Sequence, residues 1–244
     1  MFSPLDGFFL PFRGLRLIFQ PGIRRFVVVP VLLNVVVFAL LAWLAVSYFE
    51  HFMAQYLPEN TWWSFLRPLM WLIFAATYAL AVFYGFTVLA NLIASPFNGL
   101  LAAKVEQHLT GRAPSGSEIG LMASIAPAIL GEFGKIGYFL KWAIPLLLLF
   151  LVAAFIPGLN LIASGLWIGF GFWFLALEYA DYPMGNHDVG PRKQRARLGR
   201  RRMKSLGFGA GTSLLMLVLG FVAMPAAVAG ATQFWVDDML GRED

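Results

Sequence analysis

The stretch WAIPLLLLFLVAAFIPGLNLIASGLWIGFGFWFLAL, Trp142 to Leu177, contains no Asp, Glu, Lys, Arg or His. Pro157 and Gly158 interrupt it, and the part up to Ile156 would measure only about 22 Å as a helix. The hydrocarbon core of a bilayer is about 30 Å thick. We therefore predict a helical hairpin over 142–177 that partly penetrates a membrane and returns to its starting side. A pair of spanning helices joined at the Pro-Gly break is the alternative.

Charge-free segments of this kind recur along the chain. The others are 26–49, 68–97 and 205–236, and each exceeds the roughly 18–20 apolar residues that cross a bilayer as a helix. Charged residues make up 13% of the chain and hydrophobic residues 59%, whereas a soluble domain carries about 25% charged residues. The sequence thus predicts an all-α integral membrane protein in one membrane domain, 1–244. It would have two long transmembrane helices, 24–49 and 68–97, and two partly penetrating hairpins, the second being 205–236.

The segments between these runs are more polar and predict interfacial structure. Ser3 and Pro4 are typical of a helix start, and the apolar pattern that follows predicts an amphipathic helix over 3–19. Amphipathic cytoplasmic helices are expected over 98–141, where Ser115 to Glu118 form a capping box. A basic loop is expected over 178–204.

The distribution of Lys and Arg predicts the orientation of the chain in the membrane. Four lie before Phe26, one in 50–67, four in 98–141 and eight in 178–204. Because cytoplasmic loops are enriched in these residues, 50–67 is expected outside and the other three regions inside. This bias also explains the net charge of +5 without a nucleic-acid partner.

The sequence contains no recognisable catalytic or metal-binding pattern. His51, His108 and His187 are far apart, and no metalloprotease, hydrolase or Walker A motif is present. The run GFGAG, Gly207 to Gly211, lacks the ending of a phosphate loop and is better explained by close helix packing. We expect no enzyme activity, no cofactor and no metal.

A few polar residues lie at or near membrane depth. Asn34, Asn91, Asn98 and Glu106 are candidates for a polar pathway, with interhelical hydrogen bonding as the alternative. The acidic stretch EYADYP, Glu178 to Pro183, either anchors the interface and pairs with the basic loop or couples transport to protons. The cations of 191–204 either fix topology and contact anionic lipid or gather an anion.

The stretch QPGIRRF, Gln20 to Phe26, presents a similar choice. Pro21 and Gly22 break the chain, so Arg24 and Arg25 lie at the start of the next helix. The first N–H groups of a helix lack internal partners and carry positive potential. Two guanidiniums beside them outline a site for a tetrahedral oxyanion. Paired basic residues at helix starts are also common membrane anchors, and the residues alone leave both roles open.

Five stretches carry a combined pattern that covers nearly the whole chain: QPGIRRFVVVPVLLN, ANLIASPFNGLLAAKVEQHLTG, FIPGLN, EYADYPMGNH and MPAAVAGATQFWVD. Together they resemble the CysZ family of bacterial inner-membrane sulfate permeases. The resemblance implies a multi-pass protein that takes up sulfate for sulfur assimilation and cysteine biosynthesis, assembled as a homo-oligomer. It implies a sulfate site at Gly22, Ile23, Arg24 and Arg25, and a pathway through the four polar residues named above. The alternative is a membrane scaffold or lipid-binding protein whose arginines bind phospholipid head groups.

Overall fold

The computed structural model describes residues 3–114, 121–156 and 158–241. It gives the side-chain surroundings of all of these except Tyr84, 86–95, 121–134 and Phe221. Eight α-helices are formed in the described ranges: α1 Pro4–Ile18, α2 Arg25–Tyr56, α3 Arg67–Thr110, α4 Leu121–Ala153, α5 Leu159–Gly185, α6 Pro191–Arg200, α7 Arg202–Leu219 and α8 Ala223–Asp238. Short 3-10 turns occupy Trp62–Leu66 and Gly220–Val222. The expected all-α class is confirmed.

Four helical segments among the described residues are long and apolar enough to cross a bilayer: Arg25–Tyr56, Trp62–Phe83, Lys135–Ala153 and Leu159–Gly185. Their side chains are almost entirely unburied within the chain, as expected for surfaces that face lipid or other membrane helices. Length, apolarity and exposure together confirm a multi-pass membrane protein.

Helix boundaries differ from those expected in three places. α3 continues through Pro96 to Thr110, because a proline inside a membrane helix removes only one hydrogen bond that neighbouring groups can compensate. α4 and α5 extend beyond 142–177 at both outer ends, so each arm of that hairpin is long enough to span. The expected basic loop contains the end of α5 and a helix, α6, which starts at Pro191. The capping box at Ser115 to Glu118 lies outside the described residues.

The chain divides into two units. The smaller one, Val28–Ser95, holds most of α2, the 62–66 turn and the first part of α3. Aromatic contacts join its two helices: the ring centroid of Phe49 lies 4.2 Å from that of Phe74 and 4.8 Å from that of Trp71. Arg67 and Glu59 form an ion pair of 2.7 Å beside the 62–66 turn.

The larger unit, 1–27 with 96–244, contains the main hydrophobic core. Most residues of α8 are buried in it, and neither α7 nor α8 is among the candidate spans of the described chain. α8 therefore packs within the protein, whereas the end of α7 leaves Leu217 and Val218 exposed.

Glycines bring the backbones of α1, α7 and α8 together. A Cβ built on Gly207 or Gly211 of α7 would lie about 2 Å from a carbonyl oxygen of α1, at 1.9 Å and 2.1 Å respectively. On α1, Gly14 meets the Ala226 carbonyl of α8 in the same way, at 2.1 Å. These distances are far shorter than real Cβ contacts, so only glycine permits this approach. The packing interpretation of the GFGAG run is confirmed.

The buried face of α1 consists of Gly7, Leu10, Pro11, Gly14 and Ile18. Among the bulky side chains on the rest of the helix, Leu5 and Phe9 are exposed. Phe12, Leu15 and Leu17 are partly buried against the core. The buried face of α1 thus combines two glycines, which allow close approach of backbones, with the large side chains of Leu10 and Ile18. Membrane helices associate through small residues because lipid tails are as apolar as the side chains they would displace.

Substitution of Gly207 by Ala should destabilise the protein. The added methyl group would clash with the Pro4 carbonyl oxygen and force α1 away from α7, with a cost of about 1–3 kcal/mol typical of overpacking. The matched control is Gly137→Ala on α4, an exposed position where a Cβ meets no atom within 4 Å. Thermal unfolding in detergent should show a lower midpoint for Gly207→Ala only. Equal midpoints for the two variants would refute close α1–α7 packing.

Candidate functional site

The turn between α1 and α2 is held by one buried side chain. Gly22 adopts φ +87°, a left-handed conformation that favours glycine. Ile23 is 3% exposed and belongs to the same core as Leu10 and Ile18 of α1. The flanking Pro21, Gly22, Arg24 and Arg25 are all exposed. The turn is therefore pinned from inside and presents two adjacent arginines outside.

Backbone hydrogen bonds decide which amides of this turn are open. The N–H groups of Ile23 and Arg24 both donate to the Gln20 carbonyl oxygen, at 3.1 Å and 3.2 Å. Those of Phe26 and Val27 donate to the carbonyls three residues earlier. Within the described stretch 22–27, the Gly22 and Arg25 N–H groups remain as uncommitted donors. Fewer N–H groups are therefore open at the start of α2 than the four expected for an isolated helix start.

The two guanidiniums are available for an anion. Neither Arg24 nor Arg25 makes an ion pair with any described residue, and both are exposed. Arg25 places its guanidinium carbon 5.0 Å from the Phe26 ring centroid, a cation–π contact that limits its orientations. Positive charge, two donor amides and the positive end of α2 coincide here. The arrangement suits non-covalent binding of an oxyanion.

The four candidate pathway residues lie in different units. Asn34 belongs to the smaller unit, where its side-chain amide donates to the Pro30 carbonyl oxygen at 3.0 Å. The Asn91 side chain lies outside the described residues. Asn98 and Glu106 belong to the larger unit; Asn98 is half-buried and Glu106 is buried.

Glu106 forms a hydrogen bond with His187 that the sequence did not predict. Its Oε1 lies 2.7 Å from Nε2 of His187, while its Oε2 is buried and makes no hydrogen bond with the described residues. The next residue, Asn186, donates to the Gly99 carbonyl oxygen at 2.9 Å. The His187 ring also contacts Trp235, with centroids 5.3 Å apart. The end of α3 is thereby tied to the end of α5 and to α8.

The acids of EYADYP pair with a residue from α4. Lys135 Nζ lies 2.9 Å from Asp181 Oδ2 and 3.5 Å from Glu178 Oε2. From α6, the partner of Asp181 is an amide, since Gln194 Nε2 donates to Asp181 Oδ1 at 2.7 Å. Lys135, which lies outside the basic segment, thus forms ion pairs with both acids. Within the basic segment, Arg201 and Lys204 are buried. Lys204 forms an ion pair with the Asp238 carboxylate, and Arg201 donates to the Asp238 carbonyl oxygen.

Comparison with known proteins identifies close relatives over almost the full length. The family model described as "Sulfate transporter CysZ/Etoposide-induced protein 2.4" matches residues 10–225. A protein of Pseudomonas aeruginosa named "Sulfate transporter CysZ" is 44% identical over 228 residues, covering 91% of each chain. The protein of that name from Pectobacterium atrosepticum is 42% identical over 231 residues, covering 93% of this chain and 82% of the relative.

Replacing His187 by Ala should destabilise the larger unit. It would remove the partner of Glu106 Oε1, so that neither carboxyl oxygen of this buried residue would have a hydrogen bond with the described residues. An unsatisfied buried polar group costs about 1–3 kcal/mol, more if it is charged. The double variant Glu106→Leu/His187→Ala removes both polar groups and should recover much of the loss. Thermal unfolding midpoints measure both effects. The decrease in midpoint is also measured for Glu106→Leu alone. If the decrease in the double variant equals the sum of the decreases in Glu106→Leu and His187→Ala, the two residues are not coupled.

Proposed function

We propose that Arg24 and Arg25 bind sulfate in this chain, which belongs to the sulfate transporter CysZ/etoposide-induced protein 2.4 family. The chain is a multi-pass bacterial membrane protein that mediates sulfate uptake. That uptake supplies sulfur assimilation and cysteine biosynthesis. The alternative of a scaffold without transport finds no support in the relatives, whose names state transport.

The observation that carries the site assignment is the pair of exposed arginines without ion-pair partners in the described chain. A guanidinium presents donors in a planar fork that matches two oxygens of a tetrahedral oxyanion. We assign the remaining oxygens to the open N–H groups of Gly22 and Arg25, and to water. Ile23 contributes by its burial, which holds the turn in place.

An exposed site suits transport of this ion. Sulfate is doubly charged and strongly hydrated, so a fully buried site would hold it too tightly or impose a large desolvation cost. At an exposed turn, sulfate keeps part of its water shell and dissociates readily. The bias of Lys and Arg puts this turn on the cytoplasmic side. There it would act as an exit or regulatory station of an importer.

The remaining parts of the proposal concern the route and the assembly. We propose that Asn34, Asn91, Asn98 and Glu106 contribute to the polar route, with the Glu106–His187 pair as a fixed point in it. We also propose a homo-oligomer in contact with lipid. The exposed Gly165 and the half-buried Gly169 of α5, where a Cβ would meet no atom within 4 Å, suit close approach of a second copy. The proposed transport involves no catalysis, cofactor, metal or nucleic acid.

The double variant Arg24→Ala/Arg25→Ala should lose sulfate binding and most of the flux. Both guanidiniums are exposed, so their removal takes away charge-assisted donors without opening a core cavity. Reconstituted liposomes with radiolabelled sulfate measure flux, and sulfate-dependent thermal stabilisation measures binding. We expect a decrease of at least tenfold in apparent affinity, the equivalent of about 1.4 kcal/mol.

The matched control is Arg13→Ala/Arg16→Ala on α1. Those arginines are also exposed, and their removal changes the net charge by the same amount. The control should keep flux and binding near wild-type values. Unchanged flux and binding in the Arg24/Arg25 variant would show that sulfate is bound elsewhere. Equal losses in both variants would indicate a general effect of positive charge.

A further inference from the structure

A second polar site lies away from the Gly22–Arg25 turn. α4, α5 and α6 enclose a cavity of about 410 Å³. Its charged and amide lining consists of Lys135, Glu178, Asp181, Arg192, Gln194 and Arg195. These residues come from three helices of the larger unit, and sulfate binding at Arg24 and Arg25 makes no use of them.

The acidic groups of this cavity are already engaged. Lys135 lies within ion-pair distance of both Glu178 and Asp181, and Gln194 donates to Asp181. A cationic ligand would therefore have to displace existing partners. The cavity is not built to receive an ammonium group.

Unlike the two acids, the arginines of the cavity, Arg192 and Arg195, have no ion-pair partner in the described part of the chain. Arg195 holds its guanidinium carbon 4.8 Å from the ring centroid of Tyr138, which also lines the cavity. Three cations and two carboxylates give the lining a formal charge of +1. The cavity thus matches a ligand with a single negative charge.

The apolar part of the lining continues into the membrane-facing surface. Phe174 and Leu177 belong to the candidate span Leu159–Gly185. Lys135 and Tyr138 belong to α4, whose segment Lys135–Ala153 is also a candidate span. The cavity therefore lies where charged residues meet the apolar surfaces of two helices, the level that lipid head groups occupy.

We propose that this cavity binds an anionic phospholipid that carries one phosphodiester charge. Its phosphate contacts Arg192 and Arg195, and its acyl chains follow the exposed apolar surfaces of α4 and α5, which include Leu147 and Leu166. A free oxyanion shares the phosphate chemistry, but it would not use the apolar part of the lining, which includes Phe174 and Leu177. The combination of unpaired arginines and an apolar exit selects the lipid.

The test is lipid binding to the full-length purified protein, with phosphatidylglycerol and phosphatidylcholine as probes. Native mass spectrometry counts bound lipid, and thermal unfolding measures stabilisation. Phosphatidylglycerol should bind the wild-type protein in preference to phosphatidylcholine. Arg192→Gln/Arg195→Gln should weaken phosphatidylglycerol binding at least fivefold and leave phosphatidylcholine binding unchanged.

The matched control is Lys193→Gln/Arg202→Gln, which removes two exposed cations that do not line the cavity. It should keep the phosphatidylglycerol preference. Equal weakening in both variants would mean diffuse attraction to the basic segment and would overturn the proposal. Arg192→Gln alone changes one exposed side chain and gives the same comparison if the double variant fails to fold.

A sulfate arm separates the two sources of an anion. Sodium sulfate replaces phosphatidylglycerol in the thermal assay, with the same variants. Stabilisation by sulfate that depends on Arg192 and Arg195, without a phosphatidylglycerol preference, would make the cavity a free-oxyanion site and overturn the lipid assignment. Loss of the lipid effect only, with sulfate binding at Arg24 and Arg25 intact, is the expected outcome.

Discussion

The close approach of three helix backbones through glycine positions the rest of the larger unit. α1 lies against α7 at Gly207 and Gly211, and against α8 at Gly14. In water, the hydrophobic effect would favour burial of aromatic side chains, but lipid tails are equally apolar and remove that driving force. Close packing of small residues therefore stabilises the association of these helices. α1 then leads through Ile18 to the turn at Ile23, both in the shared core. The position of Arg24 and Arg25 thus follows from contacts made by residues that carry no charge.

Much of the architecture was predictable because its cause is local. Long charge-free runs require helices in a bilayer, and the four longest such runs correspond to helical parts of the structure. The buried face of α1 was not predicted, since the periodicity of Phe8, Phe9 and Phe12 is a stronger pattern than that of Gly7 and Gly14. Likewise, Pro96 looks like a helix end in sequence, but α3 passes through it.

The candidate site was only partly predictable, because only some of its features have a local cause in the sequence. Arg24 and Arg25 are adjacent and follow a Pro-Gly break, so a local motif identifies them. The open amides depend on which N–H groups reach Gln20, which needs backbone coordinates. Pairs such as Glu106 with His187, or Lys204 with Asp238, join residues that are distant in sequence. No periodicity or spacing of one sequence indicates them.

The sulfate site is tested most directly by locating the bound ion. Selenate has the charge and tetrahedral shape of sulfate, and its selenium gives an anomalous signal in crystals of the full chain. We expect a selenium peak within hydrogen-bond reach of the Arg24 and Arg25 guanidiniums and of the Gly22 or Arg25 N–H group. A well-occupied peak elsewhere in the chain, with none at this turn, would contradict the assignment of Arg24 and Arg25 as sulfate ligands.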